Sequence, residues 1–434
     1  MSQETQGIYL SKVTIKDFNC FQGEQEISFT RPNGFYQQWN VILGNNNTGK
    51  TTILRLLGGL SAEVYNSIGS KNTIGVMPII LLHQQNLWHS LNTTKPFSIK
   101  AELQEVVLQT FKPVKFNWRY FLNDKNKINT NGFSPQGNEF DIIKELQCYG
   151  YGISRKMKIS NLSEPSIEEN IRGLFYDDYE LANAEEWLLQ LDYGAKNGIS
   201  NALTVLNKLK TVLTNGLLPD AKGIELKSEL DPNTNSIKNY ALFDTDYGKV
   251  RLKGLGYGYQ ATMAWVVDLA KKLFERYPTL DNPLTGAAIV LVDEIDLHLH
   301  PDWQRKIISH LSGIFPNVQF VVTAHSPLIV QSAENVNLII LEKGEDNQTH
   351  IRQEFGTFRG WTIEEILQDL MGLGDKTLSD TYLNLLHQFE DGLDSDNYEK
   401  AKSAYDELLL LLHPASSQRK LLKLQLGAIA PTTV

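Results

Sequence analysis

The feature that most constrains the fold of this chain is a glycine-containing loop, Gly44–Thr51, which reads G-N-N-N-T-G-K-T. It follows a short apolar run at Trp39–Leu43, which predicts a buried strand, and it precedes helical spacing at Thr51–Leu60. A G-x-x-x-x-G-K-T loop between a strand and a helix is the Walker A arrangement, because its backbone N–H groups and the helix N-terminus surround phosphates. The sequence therefore predicts an α/β nucleotide-binding domain.

The loop also predicts what is bound. Lys50 is expected between the β- and γ-phosphates of ATP, and the Thr51 hydroxyl is expected to bind Mg²⁺. We therefore expect ATP and Mg²⁺ as the cofactors. The residues assigned to nucleotide contact in this segment are Gly44, Asn45, Asn46, Asn47, Thr48, Gly49, Lys50, Thr51 and Thr52.

An acidic strand end lies far along the chain. Ile289–Glu294 reads I-V-L-V-D-E, so four apolar residues predict a buried strand and two carboxylates follow at its carboxyl end. Ligands of open α/β sheets bind at this end of the strands. We expect Asp293 to hold Mg²⁺ and Glu294 to act as the general base that polarises the attacking water.

Histidines follow in the same half. His325 lies just past a second apolar run, Val318–Thr323, where it would bond the γ-phosphate and orient Glu294. His298 and His300 are spaced i, i+2, which is weak evidence for a metal site when no further ligand cluster is visible. We favour a turn that contacts the nucleotide of a partner subunit.

Together these segments resemble the ABC-type ATPase heads of the RecF/SMC class. The similarity is closer to free-standing bacterial "AAA family" ATPases, including the ATPase subunits of Septu-type and retron-associated anti-phage systems. The resemblance extends over most of the chain. The segments that carry it are Gly44–Thr51, Leu255–Trp265, Val292–Lys306 and Phe315–Pro327, with weaker similarity at Tyr149–Arg155 and Leu174–Leu188.

This resemblance implies an architecture. The fold class is α/β, an ABC-ATPase-like P-loop NTPase head with an antiparallel β subdomain, an inserted helical region and a C-terminal helical extension. The ATPase domain would occupy residues 1–345, with the Walker A lobe at 1–75, an inserted β-meander and helical region at 76–250, and the remaining motifs at 251–345. Residues 346–434 would form a C-terminal helical region.

The resemblance further assigns Leu255–Gln260 to the signature loop, which in the family binds the γ-phosphate held by the other subunit. Gly256 replaces the family's serine, Tyr257 replaces the next glycine, and Gly258 is kept. Backbone amides and the start of a helix near Ala261 would still bind phosphate through Gly256 and Gly258. The expected assembly is a homodimer, or a higher oligomer, formed through the nucleotide sites.

The glutamine that the family places beside the nucleotide has two candidate positions. Gln84 and Gln85 lie at a plausible distance after Lys50, whereas Gln147 stands at the end of a predicted strand. We favour Gln147 slightly as a nucleotide-binding residue.

Charge bears on the partners. The chain has 41 Lys and Arg residues against 50 Asp and Glu, a net charge of −9, so a general nucleic-acid-coating protein is excluded and DNA contact would need a local patch. Phe111–Lys127 interleaves basic and aromatic residues, although alternation on a strand would send its aromatic side chains to the core. DNA stays an open partner, and so does a separately encoded effector nuclease, because the chain shows no nuclease motif of its own.

Location follows from apolar content and cysteines. No apolar run is long enough to span a membrane, and the polar start M-S-Q-E-T-Q-G is unlike a signal peptide, so we expect a cytoplasmic protein without a membrane partner. Two cysteines, Cys20 and Cys148, lack metal-ligand spacing and fit a reducing compartment.

Three functions compete. The first is an ATP-hydrolysing dimer that regulates an effector nuclease in anti-phage defence. The second is a RecF-like ATPase of DNA repair or recombination. The third is an ATP-gated scaffold with little hydrolysis, which the altered signature loop favours and which the intact Lys50, Asp293, Glu294 and His325 oppose.

Overall fold

The computed structural model describes residues 7–60, 62–66, 74–78, 98–107, 110–116, 119–122, 128–131, 145–158, 169–199, 201–214, 218, 221–233, 235–374 and 378–430. Its strands are β1 (Gly7–Phe18), β2 (Phe21–Ser28), β3 (Trp39–Gly44), β4 (Ala62–Asn66), β5 (Ile74–Pro78), β6 (Ser98–Val107), β7 (Thr110–Phe116), β8 (Arg119–Leu122), β9 (Ile128–Asn131), β10 (Cys148–Tyr151), β11 (Lys156–Met157), β12 (Glu180–Leu181), β13 (Ala221–Leu230), β14 (Ile237–Thr245), β15 (Gly248–Arg251), β16 (Ala288–Val292), β17 (Val318–Thr323), β18 (Val336–Lys343) and β19 (Thr349–Gly356).

The α-helices are α1 (Lys50–Gly59), α2 (Glu169–Arg172), α3 (Ala184–Lys196), α4 (Ala202–Val212), α5 (Tyr257–Arg276), α6 (Pro301–Gln304), α7 (Ile307–Ile314), α8 (Pro327–Ser332), α9 (Ile363–Glu365), α10 (Asp380–Asp394), α11 (Tyr398–Leu411) and α12 (Gln418–Ala428). Short 3₁₀ turns occur at Leu252–Gly254 and Pro283–Thr285, and a π-turn at Ile366–Leu370 continues α9.

A six-stranded sheet in the order β10–β16–β17–β3–β18–β19 carries the site. The first five strands run parallel, and β19 pairs antiparallel with β18. Every residue of β3, β16 and β17 is buried, as expected for parallel strands covered on both faces. The carboxyl ends of β10, β16, β17 and β3 therefore meet along one edge of the sheet.

A second, antiparallel sheet has the order β2–β1–β6–β7. The alternation at Ile8–Phe29 predicts its first two strands, and it sends Val13 and Ile15 into an apolar core that also receives Leu54 and Leu57 from α1. The buried Gln319 amide of β17 bonds both the N–H (2.8 Å) and the carbonyl (3.0 Å) of Leu10. The α/β head with an antiparallel β subdomain is thus confirmed.

The chain divides into two compact units, Met1–Trp361 and Thr362–Val434. The boundary predicted after residue 345 is wrong, because β19 pairs along its length with β18 and belongs to the first unit. The second unit has its own core, in which Phe389, Leu408 and Leu422 are fully buried.

Two segments are built from short elements. Helix α2 is followed by a turn at Tyr176–Tyr179 and by strand β12 before α3 begins after the Asn183 cap. The helical segment that starts at Pro301 is divided into α6 and α7.

The inserted region, predicted to hold a β-meander and helices, contains both kinds of element. Strand β9 pairs with β8, and an antiparallel meander of β13–β14–β15 follows α3 and α4.

Candidate active site

The loop between β3 and α1 has the backbone of a phosphate-binding loop. Gly44 (φ +150°), Asn47 (φ +62°) and Gly49 (φ +100°) all have positive φ, which L side chains rarely adopt. A Cβ at Gly44 would lie 2.8 Å from the Leu341 carbonyl oxygen, and a Cβ at Gly49 would lie 2.7 Å from the Cys20 Sγ. Both glycines are therefore required by the close approach of their neighbours as well as by φ.

Lys50, the first residue of α1, points back into this loop. Its Nζ donates to the carbonyl oxygens of Gly44 (2.7 Å) and Asn45 (2.9 Å), and the Thr48 hydroxyl also donates to Asn45 (2.9 Å). Burial lowers the pKa of Lys50, while the carboxylates of Asp293, Glu294 and Asp296 oppose this shift. Asn45, Asn46 and Asn47 are exposed at the loop tip, and Thr52 is half-buried in the first turn of α1.

Thr51 and Asp293 meet although they are far apart in the sequence. The Thr51 hydroxyl donates to Asp293 Oδ2 at 2.8 Å, and the Thr323 hydroxyl donates to Asp293 Oδ1 at 2.6 Å. A hydroxyl and a carboxylate oxygen side by side, next to a loop that fits phosphate, are the donor set that Mg²⁺ prefers. These two residues therefore fit the predicted Mg²⁺ site.

Glu294 and His325 face each other beyond Asp293. Glu294 Oε1 lies 3.8 Å from His325 Nε2, which is longer than a hydrogen bond, and about a third of each side chain is exposed. The His325 and Ser326 N–H groups both donate to Asp296 Oδ2, at 2.9 and 2.6 Å. Asp296 therefore holds the backbone that carries His325, and both candidate catalytic side chains remain accessible to water.

Helix α5 begins within the signature loop, at an earlier residue than predicted. The helix starts at Tyr257 rather than near Ala261, so Gly256 is its N-cap residue and Gly258 lies inside its first turn. A Cβ at Gly258 would lie 2.2 Å from the His298 carbonyl oxygen, and the Tyr257 ring meets the His298 ring edge-on at 4.9 Å. The start of α5 therefore packs directly on the turn that follows Glu294.

The histidine pair has local structural contacts. His300 Nδ1 accepts a 3.3 Å hydrogen bond from the Asp302 N–H and caps α6, while His298 adopts a left-handed φ of 63°. Within the part of the chain that the structure describes, no group of three or more His, Cys, Asp or Glu side chains is arranged to hold a metal ion.

The structure contradicts the role predicted for Gln147. The predicted strand ends at this residue, whereas β10 begins immediately after it. Its carbonyl accepts from the Ile289 N–H (2.8 Å) near the amino end of β16, whereas the Asp293 N–H bonds Tyr151 (2.8 Å) at the other end. At about 3.3 Å per residue, Gln147 lies roughly 13 Å along the strand from the site. Gln84 and Gln85 lie outside the described residues.

Arg155 is a site residue that sequence reasoning missed. It lies beside Lys156 and Lys158 in a small basic cluster of the sequence, yet it is 5% exposed. Its guanidinium donates to the carbonyl oxygens of both Asp293 and Glu294. The signal that pointed to it is its place at the end of the similar stretch Tyr149–Arg155.

Two predictions concern DNA and the membrane as partners. Most side chains of the basic and aromatic segment Phe111–Lys127 lie outside the described residues, so the predicted DNA patch stays a prediction. Among the helices that the structure describes, none has the length and apolar content needed to cross a membrane.

The chain is similar to known proteins in sequence and to solved structures in fold. The Septu protein PtuA of Bacillus thuringiensis is 29% identical over 403 residues, which cover 91% of this chain and 93% of that relative. The Retron Ec83 probable ATPase of Escherichia coli is 34% identical over 144 residues, 33% of this chain and 26% of that relative. The SMC head domain from Thermotoga maritima is similar in structure, with a TM-score of 0.41 and 16% identity over 80% of this chain and 98% of that chain.

The family model AAA_21, described as "AAA domain, putative AbiEii toxin, Type IV TA system", matches residues 39–331. That range contains the phosphate loop, the acidic end of β16 and His325, which are the residues that the fold brings together. This chain belongs to the AAA_21 family.

Proposed function

We propose that the chain binds and hydrolyses ATP as a head-to-tail dimer that regulates a separately encoded effector nuclease in anti-phage defence. The observation that carries the catalytic part is the 2.8 Å contact between Thr51 of the phosphate loop and Asp293 of β16. That contact places Glu294 and His325 beside the loop. The ATPase names of the relatives support the same reading.

The described groups divide the chemistry among them. Lys50 and the loop N–H groups bind the phosphates, and Thr51 with Asp293 would hold Mg²⁺, which neutralises phosphate charge when bound. Glu294 takes a proton from the attacking water, and its partial exposure gives water access to the carboxylate. His325, 3.8 Å away, orients that carboxylate and bonds the γ-phosphate.

The N-terminus of α5 is the basis on which we propose a dimer. Gly256 and Tyr257 lie at the N-terminus of a 20-residue helix, where backbone N–H groups and the helix dipole favour an anion. Tyr257 is 55% exposed there, so it would meet the nucleotide of a second protomer. The same tyrosine favours the alternative function, an ATP-gated scaffold with little hydrolysis, because it stands where the family has glycine.

The role in defence is proposed from the relatives. Similarity to the Septu protein PtuA over 91% of this chain and 93% of that protein supports a shared role rather than a shared motif. A separately encoded nuclease effector and a location in the cytoplasm are parts of this proposal. A RecF-like repair ATPase would instead use DNA as its loading site.

The test is the ATP hydrolysis rate measured against protein concentration, with and without linear double-stranded DNA. A rate that rises more steeply than linearly supports sites shared between protomers. A linear rate contradicts the dimer, stimulation by DNA alone favours the repair alternative, and no hydrolysis in either condition favours the scaffold.

Two variants assign the residues. Lys50→Ala should abolish ATP binding in calorimetric titration, because the phosphates lose their buried cation. Glu294→Gln should bind ATP but accumulate an ATP-bound dimer in size-exclusion chromatography. The controls are Lys402→Ala and Glu364→Gln, which change exposed side chains of the second unit. Wild-type hydrolysis by Glu294→Gln would remove Glu294 from the role of base.

A further inference from the structure

The backbone at Glu294 needs support. Glu294 has a φ of 50°, a left-handed conformation that is unfavourable for a residue with a Cβ. Such conformations persist when neighbouring groups hold them, and they cluster at functional sites. Here the Thr323 hydroxyl accepts from the Glu294 N–H at 2.6 Å, which fixes one side of this peptide.

Arg155 holds the other side. Its Nη2 donates to the carbonyl oxygens of Asp293 and Glu294, the latter at 2.7 Å, so one guanidinium nitrogen bonds two successive peptides. Its Nε donates to the Gly152 carbonyl at 3.1 Å, which fixes the guanidinium to the end of β10. Arg155 therefore ties the turn at Asp293 and Glu294, here called the catalytic turn, to the end of β10, and it adds to the backbone hydrogen bond from the Asp293 N–H to Tyr151.

The charge of Arg155 is retained in this buried place. Burial lowers the pKa of Arg155 to about 10, and the carboxylates of Asp293, Asp296 and Glu294 oppose the shift. The guanidinium is therefore protonated at neutral pH, and hydrogen bonds from a charged donor are stronger than those between neutral groups.

The chain itself bends to place this side chain. Arg155 has a φ of 39°, so it also lies in the left-handed region. Two non-glycine residues with this conformation, Arg155 and Glu294, are thus joined by a hydrogen bond between the side chain of one and the backbone of the other. An arginine at the protein surface would need neither a left-handed backbone conformation nor a buried side chain.

We propose that Arg155 is a positioning residue for catalysis, which fixes the backbone of Glu294 so that its carboxylate is aimed at the attacking water. The inference rests on the proposed ATPase function. It assigns Arg155 no contact with the nucleotide, so its removal should affect the chemical step and leave binding intact.

The first test is Arg155→Lys, because lysine keeps the charge but lacks the planar group that bonds Gly152 and the catalytic turn together. We expect kcat to fall about 10- to 100-fold, the cost of misplacing a catalytic group by about an ångström. The Kd for ATP should stay within about twofold. The matched control is Arg172→Lys, which changes an exposed arginine and should leave both constants unchanged. A weakened ATP affinity with unchanged kcat would overturn the inference.

A double variant separates action through Glu294 from an independent effect. In the Glu294→Gln background the base is already absent, so adding Arg155→Lys should leave the residual rate unchanged within about twofold. If the two losses multiply instead, Arg155 does not act through Glu294, and the inference fails.

Hydrogen exchange gives a readout that does not need hydrolysis. Arg155→Lys should speed exchange of amides in residues 293–299 of the nucleotide-free protein, while β3 and β17 stay protected as in the wild type. Uniformly faster exchange across the sheet would show a general structural role and overturn the inference. If the wild type hydrolyses no ATP, the proposed function fails. Local exchange then still decides whether Arg155 holds the turn.

Discussion

At the scale of single residues, the site concentrates charge in a partly buried place. Lys50 and Arg155 supply two cations, and Asp293, Glu294 and Asp296 supply three carboxylates. Burial disfavours the charged forms of Lys50 and Arg155, whereas the nearby carboxylates favour those charged forms. The pKa of each cation therefore reflects a balance between desolvation and attraction. A triphosphate that enters such a site shifts that balance toward the protonated lysine.

The lowered pKa of Lys50 predicts proton uptake on binding. Burial is the main cause of the shift, and phosphate charge should raise the pKa again, so between the two values ATP binding draws a proton from solution. Above the lowered pKa the free protein carries a neutral lysine, and affinity should fall as pH rises. Calorimetric titration at a pH just below the ordinary pKa of lysine, in two buffers of different ionisation enthalpy, would measure the uptake.

The control for this prediction is Lys50→Arg. A guanidinium keeps its proton at that pH, so any ATP that still binds should bring no proton uptake from this position. If the wild-type binding heat is the same in both buffers, Lys50 is already protonated and the prediction is wrong.

Residue types alone predicted only part of the site. The spacing of Lys50 and Thr51 in the loop and of Asp293 and Glu294 after an apolar run was enough, because each motif is local. Arg155 could not be recognised from its type, since an arginine in a polar stretch is usually exposed. Its burial depends on carbonyl groups that lie far along the chain.

At the scale of elements, α5 and the turn after β16 touch through a glycine. Gly258 approaches the His298 carbonyl so closely that a Cβ would lie at 2.2 Å, whereas a Cβ at Gly256 would meet only the Tyr259 ring at 3.6 Å. Two glycines of one segment therefore differ in what they require: one allows close packing and the other has room.

This difference predicts that two similar substitutions will have effects of different size. Gly258→Ala should reduce the free energy of unfolding by about 1–3 kcal/mol, because backbone on both sides must shift. Its kcat should fall as well, since the displaced turn follows Glu294. Gly256→Ala should stay within about 0.5 kcal/mol of wild type. Urea denaturation of both variants checks the pair, and equal losses would show that the contact at His298 does not matter.

Strand ends explain why Gln147 was misplaced. The strand was expected to end at Gln147, but so short a pattern does not give the limits of a strand. The pairing partner decides them: β10 pairs with β16 from Cys148 to Tyr151, so Gln147 precedes the strand. Because the strand begins here instead of ending, Gln147 lies at the amino end of β10, about four residues from the ligand edge of the sheet.

At the scale of the whole molecule, the chain forms two units with separate cores. The continuous apolar runs at β3, β16 and β17 predicted the α/β head, because parallel strands that are buried on both faces have such runs. The boundary was predicted too early because the largely polar sequence of β19 does not indicate a strand, and the resemblance to a family gave the domain limit. Pairing with β18 is a tertiary fact that no local pattern contains.

The separate cores predict separate unfolding. Phe389 is fully buried in the second unit, and Phe389→Ala should cost that unit about 3–5 kcal/mol. Hydrogen exchange should then accelerate in residues 379–428 and stay unchanged in β3, β16 and β17. Phe315→Ala, at a fully buried position of the first unit, should give the reverse distribution. Acceleration in both units by either variant would show a single cooperative domain.

The strand order has a consequence for synthesis on the ribosome. β3 pairs with β17, Trp39 opposite Phe320, so the phosphate loop emerges long before the strand that lies next to it. Asp293 reaches Thr51 only after this pairing has closed a loop of most of the chain. Such distant pairing is entropically costly and slow. A growing chain would therefore carry the loop without its acidic partner until translation has passed β17, and the proposed hydrolysis of ATP could not begin before the head is nearly complete.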